Sequence, residues 1–254
     1  KKKYEHKVFL NFCKSVVKRY SYPVNISKKQ TKFINPYKFF YDFGDKIRNK
    51  DIVIFGNGSA CVIGFQSIRP KQNQNLFTNS GSAPMGYDIS AAIGASIAHR
   101  NKKTIYCITG DGSIMLNLQE LATIKYLKIP LKIFLINNGG YLSIHQTQKN
   151  FFKKNSFGTG KKDGLGFPDF KNISKSFDLD YIKISSQKEL SKYLSSKNFI
   201  SKKTSLIEIF VDRSQSFEPK LISWKDNTGK LHTPMLHQMS PLLPESEMKL
   251  NILK

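Results

Sequence analysis

The strongest constraint on this chain is a rhythm. Short apolar runs recur: "DIVIFG" (51–56), "KTIYCIT" (103–109), "LKIFLIN" (131–137) and "TSLIEIFV" (204–211), with "DLDYIKIS" (178–185) a weaker fifth. Between them lie stretches of helical character, at roughly 86–99, 116–128, 141–149, 168–177 and 187–195. Strands buried on both faces read as near-continuous apolar runs, and their alternation with helices describes an α/β fold. The expected architecture is therefore a doubly wound, mostly parallel sheet with helices on both faces. In such sheets, ligands bind at the carboxyl ends of the strands, near a reversal in strand order. Three glycine-bearing polar clusters fall there: "GNGSA" at 56–60, "GDGS" at 110–113 and "NNGG" at 137–140. One shared site follows.

The chemistry of these clusters narrows the ligand. Asp111, between Gly110 and Gly112, offers a hard anionic oxygen. One strand further on, after the 24 residues from Ser113 to Ile136, Asn137 and Asn138 offer neutral amide oxygens. Such donors suit Mg²⁺ or Ca²⁺, and Mg²⁺ commonly completes its shell with phosphate oxygens and water. The glycines leave room for a phosphate to reach backbone N–H groups, and Ser113 is expected where the next helix begins, a favourable place for an anion. The residues alone point to a Mg²⁺-bridged diphosphate.

Strand–GDG–helix–strand–NN resembles the signature of the thiamine-diphosphate-dependent enzymes, and the resemblance runs from about residue 8 to 248. "NSGSAPMGYDISAAIGASIA" (79–98) resembles a stretch of acetolactate synthases and their decarboxylase relatives. There the hydrophobic residue before the glycine, here Met85, props the cofactor into a bent conformation. A backbone carbonyl two residues earlier, here Ala83, receives the aminopyrimidine. "FGNGSACVIGFQ" (55–66) is similar to the first diphosphate-contacting loop, with Gly58, Ser59 and Ala60 at the contacting positions, where acetolactate synthases more often carry Gln-His. By this resemblance Asp111, Asn138 and the Gly140 carbonyl ligate Mg²⁺, and Gly110, Gly112, Ser113 and Tyr141 adjoin the cofactor. Tyr141, His145 and Gln146 are the substrate-facing candidates. Thr147 stands where acetolactate synthases commonly carry Trp. Glu120, expected about two turns into its helix, reads as a cap or surface residue.

The resemblance implies an acetolactate synthase-like enzyme that decarboxylates a 2-oxo acid and ligates the resulting enamine to a second carbonyl compound. It also implies a glutamate on a pyrimidine-binding domain, which these residues do not supply. The expectation is a homo- or hetero-oligomer with a pyrimidine-domain chain, inactive without it. The alternatives are a non-catalytic subunit or fragment that binds cofactor or a partner, and a Lys-rich nucleic-acid-binding α/β protein. Residues 1–33 are expected to be a remnant of a preceding middle domain plus a linker around Pro23 and "NISKKQTK", with an amphipathic helix at 8–20 and a second helix from Tyr37 to about Arg48. Residues 34–215 form the cofactor domain, and the proline-rich 216–254 an irregular tail packed on it.

Composition limits the other classes. The net charge is +23, yet only five of 41 basic residues are Arg and the lysines are spread along the chain. Nucleic-acid readers lean on Arg for bidentate contacts, so a solvated Lys-rich surface is expected and no nucleic-acid partner. The apolar runs are far shorter than the roughly 18–20 residues of a membrane span, and "KKKYEHKVFL" lacks the pattern of a signal peptide. Cys13, Cys61 and Cys107 lie far apart with no CxxC pair. A reducing cytoplasm, without structural zinc or disulfides, is the expectation.

Overall fold

A computed structural model describes residues 6–20, 32–152 and 156–252. Pro23 and residues 25–31 of the expected linker lie outside the described residues. Two compact units are present, residues 29–215 and the combination of 1–28 with 216–254.

In the larger unit the strands are β1 (Ile52–Phe55), β2 (Asn75–Phe77), β3 (Ile105–Gly110), β4 (Leu131–Asn137), β5 (Asp180–Ile184) and β6 (Ser205–Phe210). They form one sheet in the order β2-β1-β3-β4-β6-β5. Every pairing is parallel, so "mostly parallel" tightens to all-parallel. The chain leaves β1 outward to β2 and returns on the other side of β1 to β3. That reversal puts a crevice at the carboxyl ends of β1 and β3.

Period-two alternation divides the strand side chains between two cores. Ile52, Ile54, Ile105, Cys107, Ile133, Leu135 and Leu206 face one side with Ile89, Ala92 and Ile93 of α4 (Tyr87–Ala98) and Leu121 and Ile124 of α6 (Glu120–Tyr126). The other side is aromatic. Phe43 of α2 (Pro36–Lys46) meets Tyr106 at 5.2 Å and Phe134 at 5.3 Å between ring centroids, both edge-on, and Tyr106 stacks on Phe199 at 5.3 Å. Such pairs contribute about 0.5–1.5 kcal/mol each beyond their area burial. Helix α2 starts where it does because Asn35 accepts hydrogen bonds from the Tyr37 and Lys38 amides and Pro36 sits at the first helical position.

The remaining helices of this unit are α3 (Ser59–Ser67), α5 (Asp111–Ile114), α7 (Leu142–Phe152), α8 (Phe170–Ser176), α9 (Gln187–Leu194) and α10 (Lys197–Ile200). Two differences from the sequence reading bear on the site. The helix expected at 116–128 is split: a four-residue turn of helix begins at Asp111, and α6 begins only at Glu120. Glu120 therefore opens its helix instead of lying two turns in, where its charge complements the N-terminal end of the helix dipole.

The smaller unit holds α1 (Lys7–Arg19), a hairpin of β7 (Trp224–Lys225) and β8 (Leu231–His232), and α11 (Glu245–Leu250). The 216–254 segment thus carries regular elements where irregular chain was expected. Arg19 donates to the Leu250 carbonyl at 3.0 Å and to Asn251 at 2.9 Å, joining α1 to α11. No helix among the described residues is long and apolar enough to cross a membrane.

Candidate functional site

Asp111 is the first residue after β3, and it is 2% exposed. Its Oδ1 accepts from the Gly112 amide at 2.8 Å, and its Oδ2 accepts from the Gly139 amide at 2.7 Å and the Gly140 amide at 3.0 Å. The carboxylate is thereby stitched to the turn that follows β4. Burial pushes its pKa up to about 7, against the pull of these backbone donors.

The same turn reaches the loop after β1. Asn138 is buried, and its Nδ2 donates to Ser59 Oγ at 3.2 Å. Its Oδ1 is buried without a hydrogen-bond partner among the described residues. A buried polar atom left unpaired costs about 1–3 kcal/mol, so this orphan acceptor calls for a donor or a cation. The Gly140 carbonyl accepts from the Leu142 amide at 3.1 Å and keeps a second lone pair. Gly140 has φ +148°, and a Cβ there would lie 1.9 Å from the Thr159 carbonyl oxygen, so only glycine fits. At Gly58 and Gly110 a Cβ would meet nothing within 4 Å, which leaves the backbone of both loops open to a ligand. Among the described residues, no three His, Cys, Asp or Glu side chains come together. The oxygen donors at this site are one carboxylate, one amide and a backbone carbonyl, a hard set suited to Mg²⁺.

Ser113 behaves differently from the simplest sequence picture. Its hydroxyl lies 3.0 Å from Asp88 Oδ2 and accepts from the Gly86 amide at 2.9 Å, so it points into the protein. Asp88 is fully buried, and burial raises its pKa while hydrogen bonds from Thr109 and Ser113 oppose the rise. A Cβ on Gly56 would lie 1.9 Å from Asp88 Oδ2. Asp88 therefore ties together the end of β1, the start of α4 and the turn after β3. In the sequence Asp88 is marked only as an acid in the opening turn of the apolar "YDISAAIGASIA".

The other candidates sort by position. Tyr141 lies over Gly112, whose Cβ would fall 2.2 Å from the Tyr141 ring, and its ring meets Phe167 edge-on at 6.1 Å. Ala60 is buried in the first turn of α3. Ala83 is exposed with φ +47°, a left-handed conformation that favours glycine. Met85 is half-buried just ahead of α4. His145 Nδ1 lies 3.2 Å from Thr159 Oγ1, on the residue that also accepts from the Tyr141 amide, and Gln146 donates to the Gln215 carbonyl at 3.2 Å.

Residues 56–209 match the family model described as thiamine pyrophosphate enzyme, C-terminal TPP binding domain. The chain belongs to this family. It is therefore a thiamine-diphosphate-binding domain on the fold described above. Similar proteins include the acetolactate synthase isozyme 2 large subunit of Escherichia coli K12, 39% identical over 114 residues that cover 45% of this chain and 20% of that one. The acetolactate synthase large subunit of Cyanidium caldarium is 31% identical over 211 residues, covering 83% of this chain and 35% of the relative. The chain thus spans about a third or less of the length of these relatives.

Proposed function

We propose that this chain is the thiamine-diphosphate- and Mg²⁺-binding part of an acetolactate synthase-like enzyme acting on a 2-oxo acid. The observation that carries the reading is the orphan Asn138 Oδ1, buried on the same turn whose amides hold the Asp111 carboxylate. An Asp111 oxygen, Asn138 Oδ1 and the Gly140 carbonyl would hold Mg²⁺. The open backbone at Gly58 and Gly110, with Ser59, Ala60 and Gly112, would receive the diphosphate. Ser113 would act indirectly, by fixing the turn through Asp88 and Gly86. The Ala83 carbonyl would receive the aminopyrimidine and Met85 would support the bent cofactor. Tyr141 roofs Gly112 and would shield the diphosphate from water; His145 and Gln146 would face substrate after a change of partners.

When bound, thiamine diphosphate supplies the electron sink for decarboxylation of a 2-oxo acid, and the protein supplies position and electrostatics. A cation beside Asp111 favours its ionised form, so loading the site releases a proton near neutral pH. We further propose that joining the product to a second carbonyl compound requires a pyrimidine-binding domain alongside this one, and that the chain alone catalyses neither step.

Thermal melting with and without Mg²⁺ plus thiamine diphosphate tests the site. Wild type should gain stability only with both together, and Asp111→Ala should gain none. No stabilisation of wild type, or equal stabilisation of the variant, sinks the assignment. Release of CO₂ from a 2-oxo acid by the isolated chain would overturn the claim of dependence on a second domain.

A further inference from the structure

Glu208 sits where a strand should carry an apolar residue. It lies in the middle of β6, two residues after the core residue Leu206 and beside Leu135 of β4, and it is 4% exposed. A carboxylate at such a position is costly unless both oxygens are hydrogen-bonded. Both are. Oε1 accepts from Asn137 Nδ2 at 2.6 Å, and Oε2 accepts from the Tyr181 hydroxyl on β5.

The Asn137 contact has a direction. Only the NH₂ end of an amide can donate to a carboxylate, so Glu208 dictates which way Asn137 faces. Asn137 Oδ1 is left to accept from the Gly139 amide at 3.0 Å. That same amide donates to Asp111 Oδ2 at 2.7 Å, with the Gly140 amide beside it at 3.0 Å.

We propose that Glu208 is a positioning residue for the cation site: it fixes the Asn137 amide, which fixes the Gly139 amide and with it the turn that presents Asn138 and Gly140 to Asp111. This inference rests on the reading of Asp111, Asn138 and Gly140 given above. Tyr181 extends the chain to the edge strand β5, so the register of β4, β6 and β5 is carried into the geometry of the site.

The test uses the full chain, with the polarity of the bond swapped. Asn137→Asp opposes two carboxylates at the Glu208 contact and removes the directing donor. Adding Glu208→Gln to it restores a donor–acceptor pair with the direction reversed, while the carboxylate introduced at position 137 can still accept from the Gly139 amide. Hydrogen exchange at the Gly139 and Gly140 amides, measured without cofactor, should quicken about tenfold in N137D, by the usual coupling between hydrogen-bonded neighbours. It should return to within about threefold of wild type in N137D/E208Q. Calorimetric titration of Mg²⁺ into chain saturated with thiamine diphosphate should show about a tenfold loss of affinity in N137D, the usual cost of removing a partner behind a metal ligand. The double variant should recover it.

A double variant that exchanges as fast as N137D overturns the proposal. If N137D does not fold, a folded double variant with protected amides supports the relay, and an unfolded one overturns it. If N137D binds Mg²⁺ as wild type does while Asp111→Ala does not, the relay fails and the cation site stands. If wild type binds no Mg²⁺, the functional reading fails, and the exchange arm still decides whether Glu208 orders the turn.

Discussion

Replacing Asp111 by Asn should stabilise the cofactor-free protein at pH 8 while abolishing its response to Mg²⁺. The carboxyl pKa rises from an ordinary 3.8 to about 7 in the folded chain. Below pH 3.8 the group is protonated in both states and contributes nothing. Between 3.8 and 7 the unfolded chain ionises while the folded one stays protonated, so stability falls as pH rises. Above 7 the loss is constant, and a shift of this size amounts to about 4 kcal/mol. Asn carries no charge and removes that loss. Its Oδ1 can still accept from Gly139 and Gly140, but its NH₂ faces the Gly112 amide, now 2.8 Å from an oxygen, and this donor clash costs about 1–3 kcal/mol. The net expectation is D111N more stable by about 2 kcal/mol at pH 8. At pH 5 most of the gain is absent and the two proteins should be about equal. Urea denaturation in EDTA at both pH values measures this. A variant less stable than wild type at pH 8, or a gap that does not widen between pH 5 and 8, would mean that burial does not hold the Asp111 carboxyl at a raised pKa.

Asn138→Ala removes one hydrogen bond to Ser59 and the orphan Oδ1 together, so cofactor-free stability should change by no more than about 1 kcal/mol. Its Mg²⁺-dependent stabilisation should vanish, and a variant still stabilised by Mg²⁺ with thiamine diphosphate would show that Oδ1 is no ligand. Gly56→Ala drives a methyl into Asp88 and should cost about 2 kcal/mol or more by denaturant melting. That cost should shrink in an Asp88→Ala background, since neighbours in contact are not additive; equal costs in both backgrounds would mean Asp88 is not what Gly56 accommodates.

Much of the fold was legible because strands buried on both faces leave plain apolar runs. The elements that escaped did so for physical reasons. β2 is a three-residue edge strand, "NLF", too short for any pattern. Helix α3, "SACVIGFQS", contacts both the sheet and α2, so it lacks the polar stripe of a surface helix. At the site, the sequence motif located Asp111, Asn138 and the glycines that give them room. It could not orient Ser113, because that hydroxyl answers to Asp88, 25 residues away. Glu208 was hidden in a strand that otherwise reads as core. Its single charge inside "SLIEIF" is the mark to look for, since an acid at an inward position needs partners.

The proposed cation site joins Asp111, Asn138 and Gly140 around one divalent cation beside the diphosphate. Anomalous diffraction from crystals grown with Mn²⁺, a stand-in for Mg²⁺, and thiamine diphosphate tests it directly. One peak is expected, bounded by an Asp111 carboxylate oxygen, Asn138 Oδ1 and the Gly140 carbonyl, touching the diphosphate. A diphosphate bound with the peak elsewhere, or with none among these three oxygens, would contradict it.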